Sequence, residues 1–589
     1  MKKLMSEQIV KYLADRGVEY IFGLCGHTNI AFLSALSKSN KIKFINVRHE
    51  QIAAHAADGY ARVTRKASVV LSTLGPGIAN LVTGVATAAL DSIPMVVIAG
   101  DVQSYYFGKH PHQEVNLHSD GSQCEIFRPF VKRVWRVDRA ELFPEILEKA
   151  FSMAESGRPG PVLIDVPMDM FSTEVDETLF KRLSYNAKTI EKPSIDEDLA
   201  EKILEEIAGA KKPLIHVGGG VKLSGATKEF EEFVNHMGIP VSCTLMGKAT
   251  LPDTNPLMTG MTGFWGTKFI NDKCRNADYI LALGTSFKEC DSSSWDPDYT
   301  FSGPPTKLIH IDIDPSEIGR NYPVEIGVVA DLKKALTVLN RVAKKLYPTP
   351  RKNEAVEQEI AQAKKVFEES NRALEESNEF PMSPQRILAD LRAAAPADAL
   401  IVTDVGWNKN GIGQQFSFYT ADTFITPGGL ATMGFGVPGA MGVKIGAPDK
   451  TVIAVVGDGG FGQNPAVLAS IAAENVAIVI VIMNNNAYGT IAGLIKAHYD
   501  TTFGTVFSRN GEEYAPDYAG IARNYGIDGV TIQKAEDFKP ELEKAIKANK
   551  PVVLDVRMVN IPTPTEGHWD IMNVFSPGRK IHHVSTTLV

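Results

Sequence analysis

The chain has 589 residues, 44% of them hydrophobic, and a formal net charge of −8 at pH 7. That length suits about three domains, and the negative charge gives no footprint for nucleic acid or an anionic membrane surface. No uncharged apolar run is long enough to span a membrane. The five cysteines are scattered without a CxxC pair, and the charged amino terminus has no signal-peptide core, so we expect a cytoplasmic protein with reduced thiols.

The first region, residues 1–185, alternates short apolar strands with helical segments. The predicted strands cover residues 20–24, 43–47, 67–72 and 95–99. Polar or glycine-rich turns follow three of them and contain His27, Glu50 and Gly75. This pattern is typical of a parallel, doubly wound α/β domain.

Two further α/β domains are expected along the chain. Residues 190–345 repeat the pattern, with predicted strands at 213–217, 279–283 and 307–314. Residues 346–380 are charged and helical, which indicates a linker. Residues 381–562 are predicted to form the third domain, with a strand at 399–403. The polar tail, residues 563–589, is either a lid or a disordered end. The predicted fold is therefore α/β, with three doubly wound parallel-sheet domains.

The most informative stretch covers residues 451–490. An apolar run at 452–456 indicates a buried parallel strand and stops at a Gly-Asp-Gly-Gly turn. A helical segment at 465–474 and a second apolar run at 476–483 follow, and that run ends at three asparagines. In a parallel sheet both polar turns lie at the carboxyl ends of strands, where such sheets bind ligands.

The residue types in these two turns suit a metal-bound diphosphate. Asp458 offers a carboxylate oxygen and Asn485 an amide oxygen, and Mg²⁺ takes oxygen ligands from protein, phosphate and water. Glycines allow backbone N–H groups to approach a diphosphate, and a helix start adds a favourable dipole. An ordinary turn aspartate would explain the first motif alone, but the asparagine run one strand–helix–strand unit later favours the ligand site.

A GDG triplet, about 25 residues and then NN resembles the diphosphate motif of thiamine diphosphate enzymes. The resemblance extends over nearly the whole chain and is closest to the acetolactate synthase-like group of carboligases, decarboxylases and lyases. It implies a pyrimidine-binding domain, a middle nucleotide-binding-like domain and a diphosphate-binding domain, with Mg²⁺ held by Asp458, Asn485 and the carbonyl of Ala487. The cofactor contacts that it implies are Gly75, Asn408, Ala431, Met433, Gly457, Gly459, Gly460, Asn485, Tyr488 and Gly489.

Glu50 stands in the segment RHEQIAAHAADGYAR. A carboxylate at a helix start can simply complement the helix dipole. The resemblance instead implies that Glu50 contacts the pyrimidine ring of the cofactor. There a shared proton favours the imino tautomer, which is the base that generates the ylid.

The substrate side departs from the acetolactate synthase pattern. Gln113 matches the glutamine of an FQE motif and would face the reacting carbon, but His112 replaces the phenylalanine. His27 replaces a glycine, and its GHT triplet resembles cyclohexane-1,2-dione hydrolase. A histidine beside the cofactor could donate or take a proton, whereas the alternative is a loop histidine in solvent. Leu494 stands where acetolactate synthases place a tryptophan that selects 2-ketobutyrate, so we expect a different acceptor pocket.

The middle domain leaves its ligand open. Residues 260–267 and 310–321 resemble the FAD-binding domain of acetolactate synthase, yet residues 286–295 lack its arginine-rich segment. The related oxalyl-CoA decarboxylases and 2-hydroxyacyl-CoA lyases use this domain for ADP or the CoA nucleotide. FAD, ADP, a CoA nucleotide and no ligand all remain as interpretations.

The sequence thus predicts an enzyme, dependent on thiamine diphosphate and Mg²⁺, that forms or breaks a C–C bond beside a carbonyl. A 2-keto acid or 2-hydroxy ketone would react through an ylid and an enamine. The alternatives are a 2-hydroxyacyl-CoA lyase or oxalyl-CoA decarboxylase with an acyl-CoA substrate, a hydrolase of cyclic 1,2-diones, and a catalytically silent cofactor-binding regulatory subunit. The resemblance also implies a site shared between two chains, in a homodimer or homotetramer.

Overall fold

The computed structural model describes residues 2–116, 122–181 and 191–575. Within these residues the chain forms three six-stranded sheets, and every strand in them pairs in parallel with its neighbours. The predicted fold class, three parallel-sheet α/β domains, is confirmed. No helix in the described segments is both long enough and apolar enough to cross a membrane.

The first domain has the strand order β3-β2-β4-β5-β7-β6, with β1 and β8 forming a separate antiparallel pair. Every residue of β5 and β7 is buried because helices cover both faces of the sheet. The strands are β1 (Lys2–Leu4), β2 (Tyr20–Gly23), β3 (Lys43–Asn46), β4 (Ser68–Ser72), β5 (Met95–Asp101), β6 (Val134–Arg136), β7 (Pro161–Pro167) and β8 (Glu174–Asp176). The helices are α1 (Met5–Asp15), α2 (Ile30–Leu36), α3 (Glu50–Thr64), α4 (Pro76–Leu90), α5 (Gln123–Phe127), α6 (Phe143–Glu155), α7 (Met168–Ser172) and α8 (Thr178–Lys181).

The middle domain has the order β11-β10-β9-β12-β13-β14. Its strands are β9 (Pro213–Val217), β10 (Val241–Cys243), β11 (Met258–Met261), β12 (Tyr279–Leu283), β13 (Lys307–Asp312) and β14 (Ile326–Val329). Its helices are α9 (Glu197–Gly209), α10 (Gly220–Leu223), α11 (Thr227–Met237), α12 (Lys268–Arg275) and α13 (Leu332–Leu346), and α14 (Glu354–Glu375) leads to the third domain. Strand β13 ends two residues before the predicted position 314, because the Asp312 carboxylate accepts the Asp314 N–H (2.9 Å) and turns the chain.

The third domain has the order β16-β15-β17-β18-β22-β21, with β19 and β20 as a separate antiparallel hairpin. Its strands are β15 (Leu400–Thr403), β16 (Phe424–Ile425), β17 (Val452–Gly457), β18 (Val479–Asn484), β19 (Ser508–Arg509), β20 (Glu512–Glu513), β21 (Asp528–Ile532) and β22 (Val552–Arg557). Its helices are α15 (Pro384–Ala394), α16 (Trp407–Gln415), α17 (Gly436–Gly446), α18 (Asp458–Phe461), α19 (Val467–Glu474), α20 (Gly489–Tyr499), α21 (Tyr518–Asn524), α22 (Ala535–Ala548) and α23 (Ile571–Phe575).

Helices α3 and α17 join the first and third domains through direct backbone contact. A Cβ on Gly59 would collide with the carbonyl oxygen of Gly439, and a Cβ on Gly442 would collide with that of Ala56. Only glycine allows two helices to approach this closely. The contact between the two domains therefore requires glycine, which has no side chain, at positions 59 and 442.

The chain after β22 crosses from the third domain to the middle domain. The indole N–H of Trp407 donates to the carbonyl of residue 561 (2.5 Å), and the side chain of Gln414 donates to that of residue 564 (3.0 Å). Further along, the ring of His568 stacks on Tyr299 of the middle domain with a centroid separation of 4.8 Å. Residues 563–575 of the predicted tail are thus packed on the domains, and residues 576–589 lie outside the described part of the chain.

Candidate active site

The two polar turns of residues 451–490 lie side by side. Strands β17 and β18 are neighbours, with Gly457 opposite Met483, so both chains leave the sheet at the same edge. The GDG turn begins α18, and the asparagine run leads into α20. This edge carries the ligand sites of open parallel sheets.

Asp458 connects the two turns. Its side chain is buried and accepts the N–H of Gly459 at 3.0 Å, and the backbone N–H groups of Asn486 and Ala487 also donate to it. Burial raises the pKa of Asp458 to about 6, while these N–H groups act in the opposite direction by favouring the charged form. The Asp458 carboxyl group therefore lies at the point where the asparagine loop passes the glycine turn.

Asn485 has a fixed amide orientation. Its Nδ2 donates to Oδ1 of Asn560 (3.1 Å), which turns its Oδ1 away from Asn560. Gly489 allows this arrangement, because a Cβ there would collide with that amide nitrogen. Together with the Asp458 carboxylate and the carbonyl of buried Ala487, the turns offer oxygen donors of the kind that Mg²⁺ prefers.

Asp404, which the sequence argument did not select, organises the segment that carries Ala431 and Met433. It follows β15, and its Oδ2 accepts the N–H groups of Gly434 (2.9 Å) and Gly436 (3.0 Å). Burial raises the pKa of Asp404 to about 6. An acidic residue directly after a predicted strand was the available signal.

The remaining residues predicted to contact the diphosphate differ in their placement. The side chain of Asn408 is buried, and its Nδ2 donates to the Val455 carbonyl (2.9 Å), so the amide nitrogen is used within the sheet. Tyr488 is 38% exposed, and its ring lies so close to Gly459 that a Cβ there would be 2.8 Å from it. Gly460 is equally close to the Asp404 carboxylate, because a Cβ on Gly460 would lie 2.7 Å from a carboxylate oxygen.

Glu50 lies on the first domain as the first residue of α3. It is only 5% exposed, and its Oε2 accepts the side-chain N–H of Asn80 at 2.9 Å. A Cβ on Gly77 would stand 3.2 Å from Oε1, so the start of α4 packs closely on the carboxylate. Asn80 is a second residue that the sequence did not indicate, because it lies within a mostly apolar helix and belongs to no motif.

The predicted substrate-side residues come together around Gly75. Gly75 has a φ of 63°, and a Cβ there would be 2.9 Å from the carbonyl oxygen of Gln113. The rings of His27 and His112 lie 5.8 Å apart between centroids. Both histidines and Gln113 are exposed in the single chain, and Leu494 is half-buried within α20.

A cavity of about 420 Å³ lies where the three domains meet. Its middle-domain wall includes residues 218–220, 284–286 and 312–313, at the carboxyl ends of β9, β12 and β13. Strands β9 and β12 are neighbours at which the strand order reverses, and nucleotides bind at such positions. Arg158 from the first domain also lines the cavity and is paired with Glu317 (2.6 Å) and Asp314 (3.3 Å).

Three domain families match this chain. They are described as the thiamine pyrophosphate enzyme N-terminal TPP binding domain (residues 4–121), central domain (200–339) and C-terminal TPP binding domain (404–556). A probable acetolactate synthase large subunit of Methanococcus aeolicus is 36% identical over 565 residues, covering 93% of this chain and 91% of that protein.

Two bacterial relatives show the same extent of similarity. The acetolactate synthase large subunit of Corynebacterium glutamicum is 34% identical, and the alignment covers 93% of this chain and 86% of that protein. The isozyme 3 large subunit of Escherichia coli is 32% identical and covers 94% of each chain. The chain belongs to the acetolactate synthase family. As a member of this family it is a thiamine diphosphate-dependent enzyme, and the groups around Glu50 and Asp458 lie in its two cofactor-binding domains.

Proposed function

We propose that the protein is a Mg²⁺-dependent carboligase that decarboxylates a 2-keto acid and transfers the remaining carbon unit to an acceptor. The observation that carries this proposal is the contact between Asp458 and the loop of residues 485–487, in a chain of which 93% matches an acetolactate synthase large subunit. The relatives' names favour 2-keto acids, since acetolactate is the product that they state.

The cofactor supplies a carbon nucleophile and an electron sink. Asp458, Asn485 and the carbonyl of Ala487 would hold Mg²⁺ and, through it, the diphosphate. Ala431 and Met433 would support the pyrimidine and the folded shape of the cofactor, and the Asp404 hydrogen bonds fix the segment that presents them. Glu50 would share a proton with the pyrimidine ring, in a buried setting where Asn80 keeps its carboxylate in one orientation.

The substrate would meet His27, His112 and Gln113. Two imidazoles at a 5.8 Å centroid separation can donate a proton to one substrate oxygen and take one from another. The same pair favours a second candidate function, hydrolysis of a cyclic 1,2-dione, because that reaction requires a base for water. A third possibility is a thioester substrate, as in 2-hydroxyacyl-CoA lyases and oxalyl-CoA decarboxylases. An assay must distinguish it from a 2-keto acid and from a cyclic 1,2-dione.

We further propose that the working enzyme is a homodimer or homotetramer in the cytoplasm. The exposed positions of His27, Gln113 and Tyr488 in one chain support a site that a second copy covers. The cavity between the domains would take an adenine nucleotide, either FAD or the ADP part of CoA, at the switch point of the middle sheet. Release of FAD, ADP or CoA from heat-denatured protein would identify the ligand.

The deciding experiment uses purified protein with thiamine diphosphate and Mg²⁺. Pyruvate, a 2-hydroxyacyl-CoA and cyclohexane-1,2-dione are supplied separately, and CO₂, aldehyde and ring-opened acid are measured. Release of CO₂ from pyruvate with an acetolactate-type product supports the proposal. Turnover of only the thioester or only the dione would replace it with the corresponding alternative.

A further inference from the structure

The loop after β5 contains two consecutive tight turns in front of Gly75. In the first, the N–H of Lys109 donates to the Tyr106 carbonyl (2.9 Å), and in the second, the N–H of Glu114 donates to the Pro111 carbonyl (3.1 Å). His112 and Gln113 are the two central residues of the second turn. Their positions therefore depend on how this turn is held.

The second turn is conformationally strained. Gln113 has a φ of 66°, and His110, directly before the turn, has a φ of 57°. A turn whose third residue has positive φ normally places glycine there. Two non-glycine residues in the left-handed region persist only where the surrounding structure fixes them, and such residues concentrate at functional sites.

The carboxylate of Glu114 supplies that fixation. Its Oε1 accepts the N–H of Gly108 (2.6 Å), and its Oε2 accepts the N–H of His110 (3.0 Å). One side chain thus closes both turns by hydrogen bonds to a charged acceptor, which are stronger than neutral ones. The second bond is made by one of the two strained residues.

The closed loop is also anchored at its first end and packed on the site. The Asp169 carboxylate accepts from Ser104 N and Oγ (2.9 and 2.6 Å), and the guanidinium of Arg136 lies 4.0 Å from the ring centre of Phe107. On the other side, Gly75 leaves no room for a side chain between itself and Gln113. Between these two contacts, the loop is held by the hydrogen bonds from Gly108 and His110 to the Glu114 carboxylate.

We propose that Glu114 is a positioning residue for the reaction, because it holds His112 and Gln113 in the strained turn that faces the substrate. This inference rests on the proposed function of those two residues. Glu114 would act on substrate turnover and leave the cofactor site unchanged, since its hydrogen bonds stay within the loop. Small misplacements of reacting groups cost up to about 100-fold in rate.

The test compares Glu114→Ala, Glu114→Gln and the control Glu145→Gln in the holoenzyme. Glu145 is a 63% exposed carboxylate on α6 that pairs only with Lys149 among its ionic partners in the described residues. We expect kcat/KM for the established substrate to fall by roughly 100-fold in Glu114→Ala. The fall should be smaller in Glu114→Gln, whose side chain retains one acceptor oxygen, and absent in the control. Tryptic cleavage after Lys109, measured by mass spectrometry, should be fastest in Glu114→Ala, intermediate in Glu114→Gln and unchanged in the control.

Two further readouts separate positioning from a general loss of structure. Cofactor affinity and the exchange of the cofactor's C2 proton with deuterated water should keep their wild-type values in both Glu114 variants. In a His112→Ala, Gln113→Ala background, Glu114→Ala should add little, because coupled residues are not additive.

Wild-type kcat/KM in Glu114→Ala, an additive loss in the triple variant, or weakened cofactor binding would each overturn the inference. Failure of the proposed function has a different readout, since the wild-type protein would then release no CO₂ from pyruvate. Failure of the role proposed for His112 and Gln113 would leave kcat/KM unchanged in the His112→Ala, Gln113→Ala variant. The two failures are therefore distinguishable.

Discussion

Replacing Glu50 with glutamine tests the cofactor-activating role with little disturbance of the fold. Glu50 is 5% exposed, and within the described residues its carboxylate accepts one hydrogen bond, from Asn80 at 2.9 Å. Glutamine has nearly the same shape, and its Oε1 can accept the same bond. The change therefore removes the negative charge and the ability to hold a proton while the packing of α3 against α4 is retained.

The expected loss follows from the chemistry that is removed. A positioned acid or base contributes about 10²- to 10⁴-fold to a rate, which corresponds to about 3–5 kcal/mol. We expect kcat to fall by this factor, together with the rate of C2 proton exchange on the bound cofactor. The cofactor affinity should change far less, because the residues proposed to hold the diphosphate lie in the other domain.

The assay measures proton exchange by NMR and turnover of the established substrate, with Glu145→Gln as the control. Thermal unfolding of both variants should match that of the wild type. Exchange and turnover within about twofold of the wild type in a folded Glu50→Gln protein would refute the assignment of Glu50. Loss of cofactor binding with normal exchange on the residual complex would refute the division of roles between the two domains.

Three other changes test the metal site, the domain contact and a buried acid. Asn560→Leu should weaken Mg²⁺ binding by about 10- to 100-fold, measured by calorimetry with the cofactor present, whereas Asn560→Asp keeps the acceptor for Asn485 and should bind normally. Gly442→Ala would force a Cβ into the Ala56 carbonyl oxygen, and we expect on the order of 3 kcal/mol of lost stability by denaturant unfolding. Burial, together with the neighbouring Asp101 carboxylate, raises the pKa of Asp165, so the protonated side chain stabilises the folded state. This contribution to stability is present below a pH of about 4 and is lost as the pH rises through the raised pKa. In denaturant unfolding measured across this pH range, Asp165→Asn should flatten the decline.

The sheet edges of the site could be predicted because buried parallel strands have a clear sequence pattern. The runs that became β17 and β18 are apolar throughout, and each stops at a polar turn. Adjacent strand ends then place Asp458 beside the asparagine loop without further information. The start of β18 was predicted three residues early, at 476, because Asn475 takes a left-handed conformation (φ 48°) that ends α19 and delays the strand.

The residues that orient the site were not visible in the sequence. Asn80 lies 30 positions from Glu50, and Asn560 lies 75 positions from Asn485. Each is a single polar residue with no motif of its own, and its role exists only because folding brings it to a charged or ligating partner. Asp404 differs in that it directly follows a predicted strand, and a polar residue at a strand end is itself a sequence signal.

The same physical distinction separates the two halves of the proposed active site. The proposed cofactor half consists of residues at strand ends and helix starts, so parallel-sheet geometry determines where Asp458 and Glu50 stand. The proposed substrate half is a loop whose shape depends on two left-handed residues and on the hydrogen bonds to Glu114. A change of loop residue can therefore alter the groups that face the substrate while the sheet and the cofactor site stay the same. Differences in reaction between this chain and its acetolactate synthase relatives are accordingly expected in the loop that presents His112 and Gln113, together with His27 opposite it.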